Sequence, residues 1–151
     1  MTSLKALRSA GCLLALPYYS SLAAELQAEH GQHEAALVRL GDCLRLADAT
    51  GEMYYVPELY RLEALSLQAL GEHRAAESEA CLRRAIALAR EQGARMPEAR
   101  STLALCRALE RQGRRDEVRA LLSEISGWPA RHAAMPELAE ARALLGELAG
   151  S

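Results

Sequence analysis

The sequence predicts an all-α chain built from repeated helical pairs, and three observations predict it. Its 151 residues are dominated by Ala, Leu, Arg and Glu, which lose little freedom in a helix, while Phe and Asn are absent and β-branched residues scarce. Four prolines, Pro17, Pro57, Pro97 and Pro136, recur at intervals of 40, 40 and 39 residues. Glycines form an independent ruler: Gly31, Gly71 and Gly113 are spaced by 40 and 42, and Gly51 and Gly93 by 42. Self-similarity at such a period is the mark of stacked supersecondary units, each too small to bury its apolar face alone.

Met1 to Leu16 reads as the second helix of a pair that lacks its partner, so the chain has the look of a fragment. Lys5 and Arg8 precede an apolar run there, Ala10 to Leu16, that is too short for a secretory signal or a membrane span. Repeats then occupy 17–56, 57–96 and 97–128. Proline is tolerated in a first helical turn, where its missing N–H has no partner to lose, so each ruler proline starts a helix. Glycine stops it, because a left-handed cap strains any residue bearing a Cβ. The first helices are thus expected at about 17–30, 57–70 and 97–112.

In the second helix of the middle unit, Ala75, Ala76, Leu82, Ala85, Ile86 and Ala89 make an apolar stripe that leaves Arg83, Arg84 and Arg90 outward. Small residues recur where two helices must approach. Ala24, Ala64 and Cys106 sit seven before the helix-ending glycine, and Ala36, Ala76 and Val118 five after it. A leucine at Ala76 is expected to overpack that crossing, at about 1 to 3 kcal/mol. After Gly127-Trp128-Pro129 breaks the period, 136–148 forms a capping helix with Trp128 wedged beneath it.

Helix, glycine turn and helix with small residues at these offsets resemble the tetratricopeptide family, in a long-period form. Pro57-Glu58-Leu59-Tyr60-Arg61-Leu62, the run Glu79 to Ala94, and Gln112-Gly113-Arg114-Arg115 look like the C-terminal tails of bacterial adenylate cyclase-type predicted ATPases and of large ATP-dependent transcriptional activators. The resemblance covers residues 12–148 and implies a right-handed α-solenoid of tetratricopeptide-type helix pairs in a cytoplasmic bacterial protein of signalling or transcription control. It implies a module that holds a protein or peptide segment, with an ATPase domain of a parent protein as one candidate partner. The alternative it leaves open is a small-effector sensor, or a tail that regulates an ATPase or cyclase. Catalysis does not transfer with the likeness, since no G-x-x-x-x-G-K-[ST] loop is present and Lys5, the sole lysine, has no glycine-rich setting.

Charge and cysteine usage narrow the ligand classes. A net charge of -2 gives no global attraction to nucleic acid or to an anionic membrane. Cys12, Cys43, Cys81 and Cys106 lie far apart, as reduced thiols packed like small apolar residues do. No cofactor, metal or catalytic site is expected. His30 and His33 straddle a turn, but His73 occupies the same repeat position as His33, which makes the motif structural.

If the first helices line a concave face, as in the family, the groove would present Tyr18, Glu25, Glu29, Glu58, Arg61, Gln68, Arg100, Arg107 and Arg111. Arg100, Arg107 and Arg111 share one stripe at steps of seven and four. That stripe reads either as a solvated face or as a clamp for an acidic peptide, guanidinium matching carboxylate geometry.

Overall fold

The computed structural model describes the backbone of residues 16–150 and the side chains of residues 20–150. Among the described residues there are seven α-helices and no strand: α1 (Leu16–Glu29), α2 (His33–Thr50), α3 (Val56–Leu70), α4 (Ala75–Gln92), α5 (Arg95–Arg111), α6 (Arg115–Ser126) and α7 (Pro136–Gly150). Short 3-10 turns occupy Glu72–Arg74 and Ala130–His132. The helix expected over Met1 to Leu16 lies, apart from Leu16 itself, outside the described residues.

Each helix packs on the next in the chain, and α1 with α3, α3 with α5, and α5 with α7 touch as well. The odd-numbered helices are therefore successive neighbours, with α2, α4 and α6 each packed on two of them. Two helices have four helical neighbours, α3 with α1, α2, α4 and α5, and α5 with α3, α4, α6 and α7. Of the two, α5 is the more buried, without a break from Ser101 to Cys106. One apolar cluster passes from Ala64 of α3 through Leu82 and Ile86 of α4, Leu105 and Leu109 of α5, and Leu122 and Ile125 of α6, to Leu138 of α7. Trp128 and Met135 are partly buried and pack against this cluster. A second cluster joins Ala24, Leu40, Cys43 and Leu62 across α1, α2 and α3.

The glycine ruler marks real stops. Gly31, Gly51, Gly71, Gly93 and Gly113 all have positive φ, and no other residue type does among the described residues. Pro57 lies in the first turn of α3 and Pro136 opens α7. Pro97, the third residue of α5, lies in a first turn as well.

Burial shows why the two rulers disagree. An offset of 40 superimposes the buried Ala24 of α1 on the buried Ala64 of α3. Between α3 and α5, an offset of 42 aligns the buried Leu59, Leu62, Ala64 and Leu67 with the buried Ser101, Ala104, Cys106 and Leu109. Between α2 and α4, 42 likewise aligns Ala36, Leu40, Cys43 and Ala47 with Ser78, Leu82, Ala85 and Ala89. Both shifts have one origin, a two-residue extension of the turn after Gly71, taken up by the 3-10 turn Glu72–Arg74. The proline interval of 40 into α5 is therefore not the structural register.

This corrects the expected crossing residue. Ala76 is exposed; the small residue that meets α3 is Ser78, only 1% exposed, whose hydroxyl donates to the Ala64 carbonyl at 3.0 Å. Ala76→Leu will accordingly shift stability by no more than about 0.5 kcal/mol, as surface changes do, whereas Ser78→Leu will cost about 1 to 3 kcal/mol by overpacking. Urea unfolding of the two variants separates these outcomes.

Gly71 makes the extension possible. Its φ of 128° and ψ of 168° lie in a region essentially closed to residues with a Cβ, and an added Cβ would stand 3.0 Å from the His73 Nδ1. Gly71→Ala should lower the unfolding free energy by about 1 to 3 kcal/mol, again measured in urea.

Candidate binding groove

The true register assembles the groove residues into rows. Glu25 of α1, Leu65 of α3 and Arg107 of α5 occupy one repeat position and all three are exposed. A turn further on, Glu29, Ala69 and Arg111 form a second exposed row. Tyr18, Glu58 and Arg100 share a third position, where Glu58 is half-buried, Arg100 exposed, and the Tyr18 side chain lies outside the described residues. The first two rows therefore grade from acidic at α1 through neutral at α3 to basic at α5. Leu65 was missed from sequence because an aliphatic residue inside an amphipathic helix reads as core; the glycine interval of 42 was the signal that it aligns with Arg107.

Each groove arginine has an internal partner. Arg100 Nε donates to Glu137 Oε1 at 3.0 Å, and Arg107 pairs with Glu140, both acceptors being on α7. Arg111 donates to Gln68 Oε1 at 3.1 Å; Gln68 Nε2 in turn donates to the Ser78 hydroxyl at 3.0 Å. The arginine stripe expected from the sequence is thus on one face, and it serves to tie α5 to α7 and to α3. An acidic ligand would have to replace Glu137 and Glu140.

Arg61 lies inward of the rows, chelated by Glu58 through Nε at 3.0 Å and Nη2 at 2.5 Å. Burial disfavours its charge, but the Glu58 bonds and the fields of Glu58 and Glu25 raise its pKa above the ordinary value. Glu25 and Glu29 have no hydrogen bond or ion pair among the described residues.

Two clefts open beside the rows. One, of about 300 Å³ between α1 and α3, is lined by Ala24, Ala28, Leu40, Leu62 and Leu65 with Glu25 and Glu29. The other, of about 230 Å³, lies between α3 and α5 and is polar, with Gln68, Ser78, Arg111 and Gln112 in its wall. Gly71 and Ala75 line this second cleft too, so the extended turn helps to shape it.

The histidines serve the turns. His30 Nδ1 lies 2.7 Å from the Leu26 carbonyl at the end of α1, and His33 opens α2. Among the described residues no group of three or more His, Cys, Asp or Glu side chains is placed to hold a metal ion. Burial raises the Cys43 thiol, pushes Cys106 up to about 11, and, with the Glu63 carboxylate beside it, pushes Cys81 up to about 12. Thiols so placed carry little thiolate at neutral pH. No described helix is long and apolar enough to cross a membrane.

Other arginines stitch α4 to α5 and α6. Glu98, almost wholly buried in α5, accepts from Arg90 at 2.8 Å and from Arg95 at 3.1 Å; Arg90 also reaches Glu124 at 2.7 Å, and the Arg95 guanidinium stacks 4.7 Å above the Trp128 ring. Glu79 of α4 accepts from Arg114 at 2.7 Å and from Arg83, which also contacts Glu117 of α6. No protein family matches the chain, and no curated protein matches it.

Hydrogen bonds from Arg114, then Arg83, hold the Glu79 carboxyl below the ordinary carboxylate range, and Arg114 does the same to Glu117. A carboxyl depressed in the folded state contributes stability that is complete above its unfolded pKa and is lost as pH falls through the folded one. The fall in melting temperature on acidification should therefore be shallower in Arg114→Gln than in the wild type. Calorimetry across the acid limb measures the difference.

Proposed function

We propose that the chain is a tetratricopeptide-type α-solenoid that holds a segment of another protein, acting as an interaction or regulatory module of a bacterial signalling or transcription-control protein. The observation that carries this reading is the row Glu25, Leu65, Arg107: three exposed side chains of different chemistry at one repeat position, on helices that adjoin one another. Packing alone does not require an exposed leucine between a carboxylate and a guanidinium. A repeated helical pair that keeps its backbone geometry while varying one outward position is a surface on which successive units read successive ligand groups. The glycine stops, the small residues at each crossing and the alternation of contacts agree with the family resemblance.

A second reading, a small-effector sensor, has one observation in its favour. The polar cleft of about 230 Å³ gathers an amide, a hydroxyl and a guanidinium from Gln68, Ser78 and Arg111. Such a set would orient a small polar molecule.

Quantitative affinity capture from cell lysate tests the primary reading. The native chain would be compared with Leu65→Asp and with Arg84→Asp, the latter on the exposed surface of α4. A partner retained by Arg84→Asp and weakened about ten-fold or more by Leu65→Asp is the expected result, since an anchor residue dominates binding energy. Equal capture by all three chains would place binding elsewhere, and a partner lost with Arg84→Asp alone would reverse the assignment of faces.

A further inference from the structure

The two ends of the groove face differ in how their charge is satisfied. At α5, Arg100 and Arg107 are neutralised by Glu137 and Glu140, and Arg111 is bonded to Gln68. At α1, Glu25 and Glu29 have no ion-pair partner among the described residues. The charged side chains that line the cleft between α1 and α3 are Glu25 and Glu29; the Arg61 guanidinium, which feels the field of Glu25, is chelated by Glu58. The local charge is thus negative, although the sequence places its arginines in the groove.

The floor of this cleft supplies the second half of the argument. Ala24, Ala28, Leu40 and Leu62 line it with aliphatic carbon, and Leu65, 38% exposed, stands at its rim. Ser66 contributes the one hydroxyl. Such a floor gains free energy only from an apolar group that leaves water. Glu25 and Glu29, four residues apart on one helix face, sit within reach of one another's ligands, and a guanidinium or ammonium between them would meet two carboxylates that have no ion-pair partner among the described residues.

We propose that the α1–α3 cleft binds a basic-aliphatic segment of another polypeptide, with an aliphatic side chain against Leu40 and Leu62 and a neighbouring Lys or Arg held by Glu25 and Glu29. The proposal rests on the interaction reading above and reverses the ligand charge that the arginine stripe suggested. The carboxylates steer such a segment in from solution and set its register, while the aliphatic contact supplies the anchor; the association rate therefore falls as salt is added.

The test uses the full chain. Random dodecapeptides displayed on phage would be selected against it, and the enriched sequences synthesised and titrated by fluorescence anisotropy. Titrations would be run on the wild type, on Glu25→Lys combined with Glu29→Lys, on Arg107→Glu and on Arg84→Asp, with helicity checked by circular dichroism. Enriched peptides that pair Lys or Arg with Leu, Ile, Val or Met, bind the double variant about ten-fold more weakly and bind Arg84→Asp, on the exposed surface of α4, unchanged would support the proposal. Acidic peptides that depend on Arg107 would overturn it while leaving the interaction reading intact; absence of any enriched peptide would overturn both. Two further outcomes reassign the cleft and overturn the proposal: about ten-fold tighter peptide binding by Lys5→Glu with Arg8→Glu, which makes the chain's own N-terminal segment the occupant, or a wild-type dimer that Glu25→Lys dissolves, which makes it a second copy.

Discussion

Each helical pair closes where small side chains allow two backbones to meet: Ala24 and Ala36, Ala64 and Ser78, Cys106 and Val118, every one of them almost wholly buried. Two of these crossings also carry a side-chain hydrogen bond to backbone, from Ser78 to the Ala64 carbonyl at 3.0 Å and from the Cys106 thiol to the Val118 carbonyl at 4.0 Å. A larger residue at any of the six positions would hold the helices apart and break the apolar clusters on either side. The positive-φ glycines depend on the same constraint, because a reversal that sends the second helix straight back over the first needs a turn most residues resist.

The groove face follows from that packing. Once α1, α3 and α5 are held as neighbours, the residues facing away from α2, α4 and α6 are set by helical geometry, and one repeat position becomes one row. The rows then differ in character according to what closes each end. At the α5 end, α7 supplies Glu137 and Glu140 to pair Arg100 and Arg107; at the α1 end, Glu25 and Glu29 have no ion-pair partner among the described residues. On the other side of the helices, Arg83, Arg90 and Arg114 are consumed in ties between α4, α5 and α6. The arginine-rich half of the sequence is, in the folded chain, largely balanced.

The two-residue extension after Gly71 links fold to site. It moves the crossing residue of α4 from Ala76 to Ser78, gives that residue a hydroxyl able to bond both Ala64 and Gln68, and opens the polar cleft beside Arg111. The irregularity does not recur: α6 follows α4 at an offset of 40, the buried Ser78, Leu82 and Ala85 matching the buried Val118, Leu122 and Ile125.

What the sequence determined by itself is the all-helical class, the boundaries of the first helices, the stops at the glycines and most crossing residues. These are local properties: proline and glycine act on their own φ and ψ, and amphipathic periodicity needs only nearest neighbours. It also brought Glu25, Glu29, Arg107 and Arg111 to the exposed face, because a period of known length assigns faces. Only the tertiary structure decided that Ala76 is solvent-facing, that Leu65 is exposed in register with Glu25 and Arg107, and which charges are satisfied. The physical reason is that an ion pair between residues 33 or more apart, such as Arg107 with Glu140, depends on how whole helices dock. A two-residue error in register turns every assignment in a helix by about 200°, at 3.6 residues per turn, which is how an interval of 40 puts Ala76 where the buried Ser78 stands.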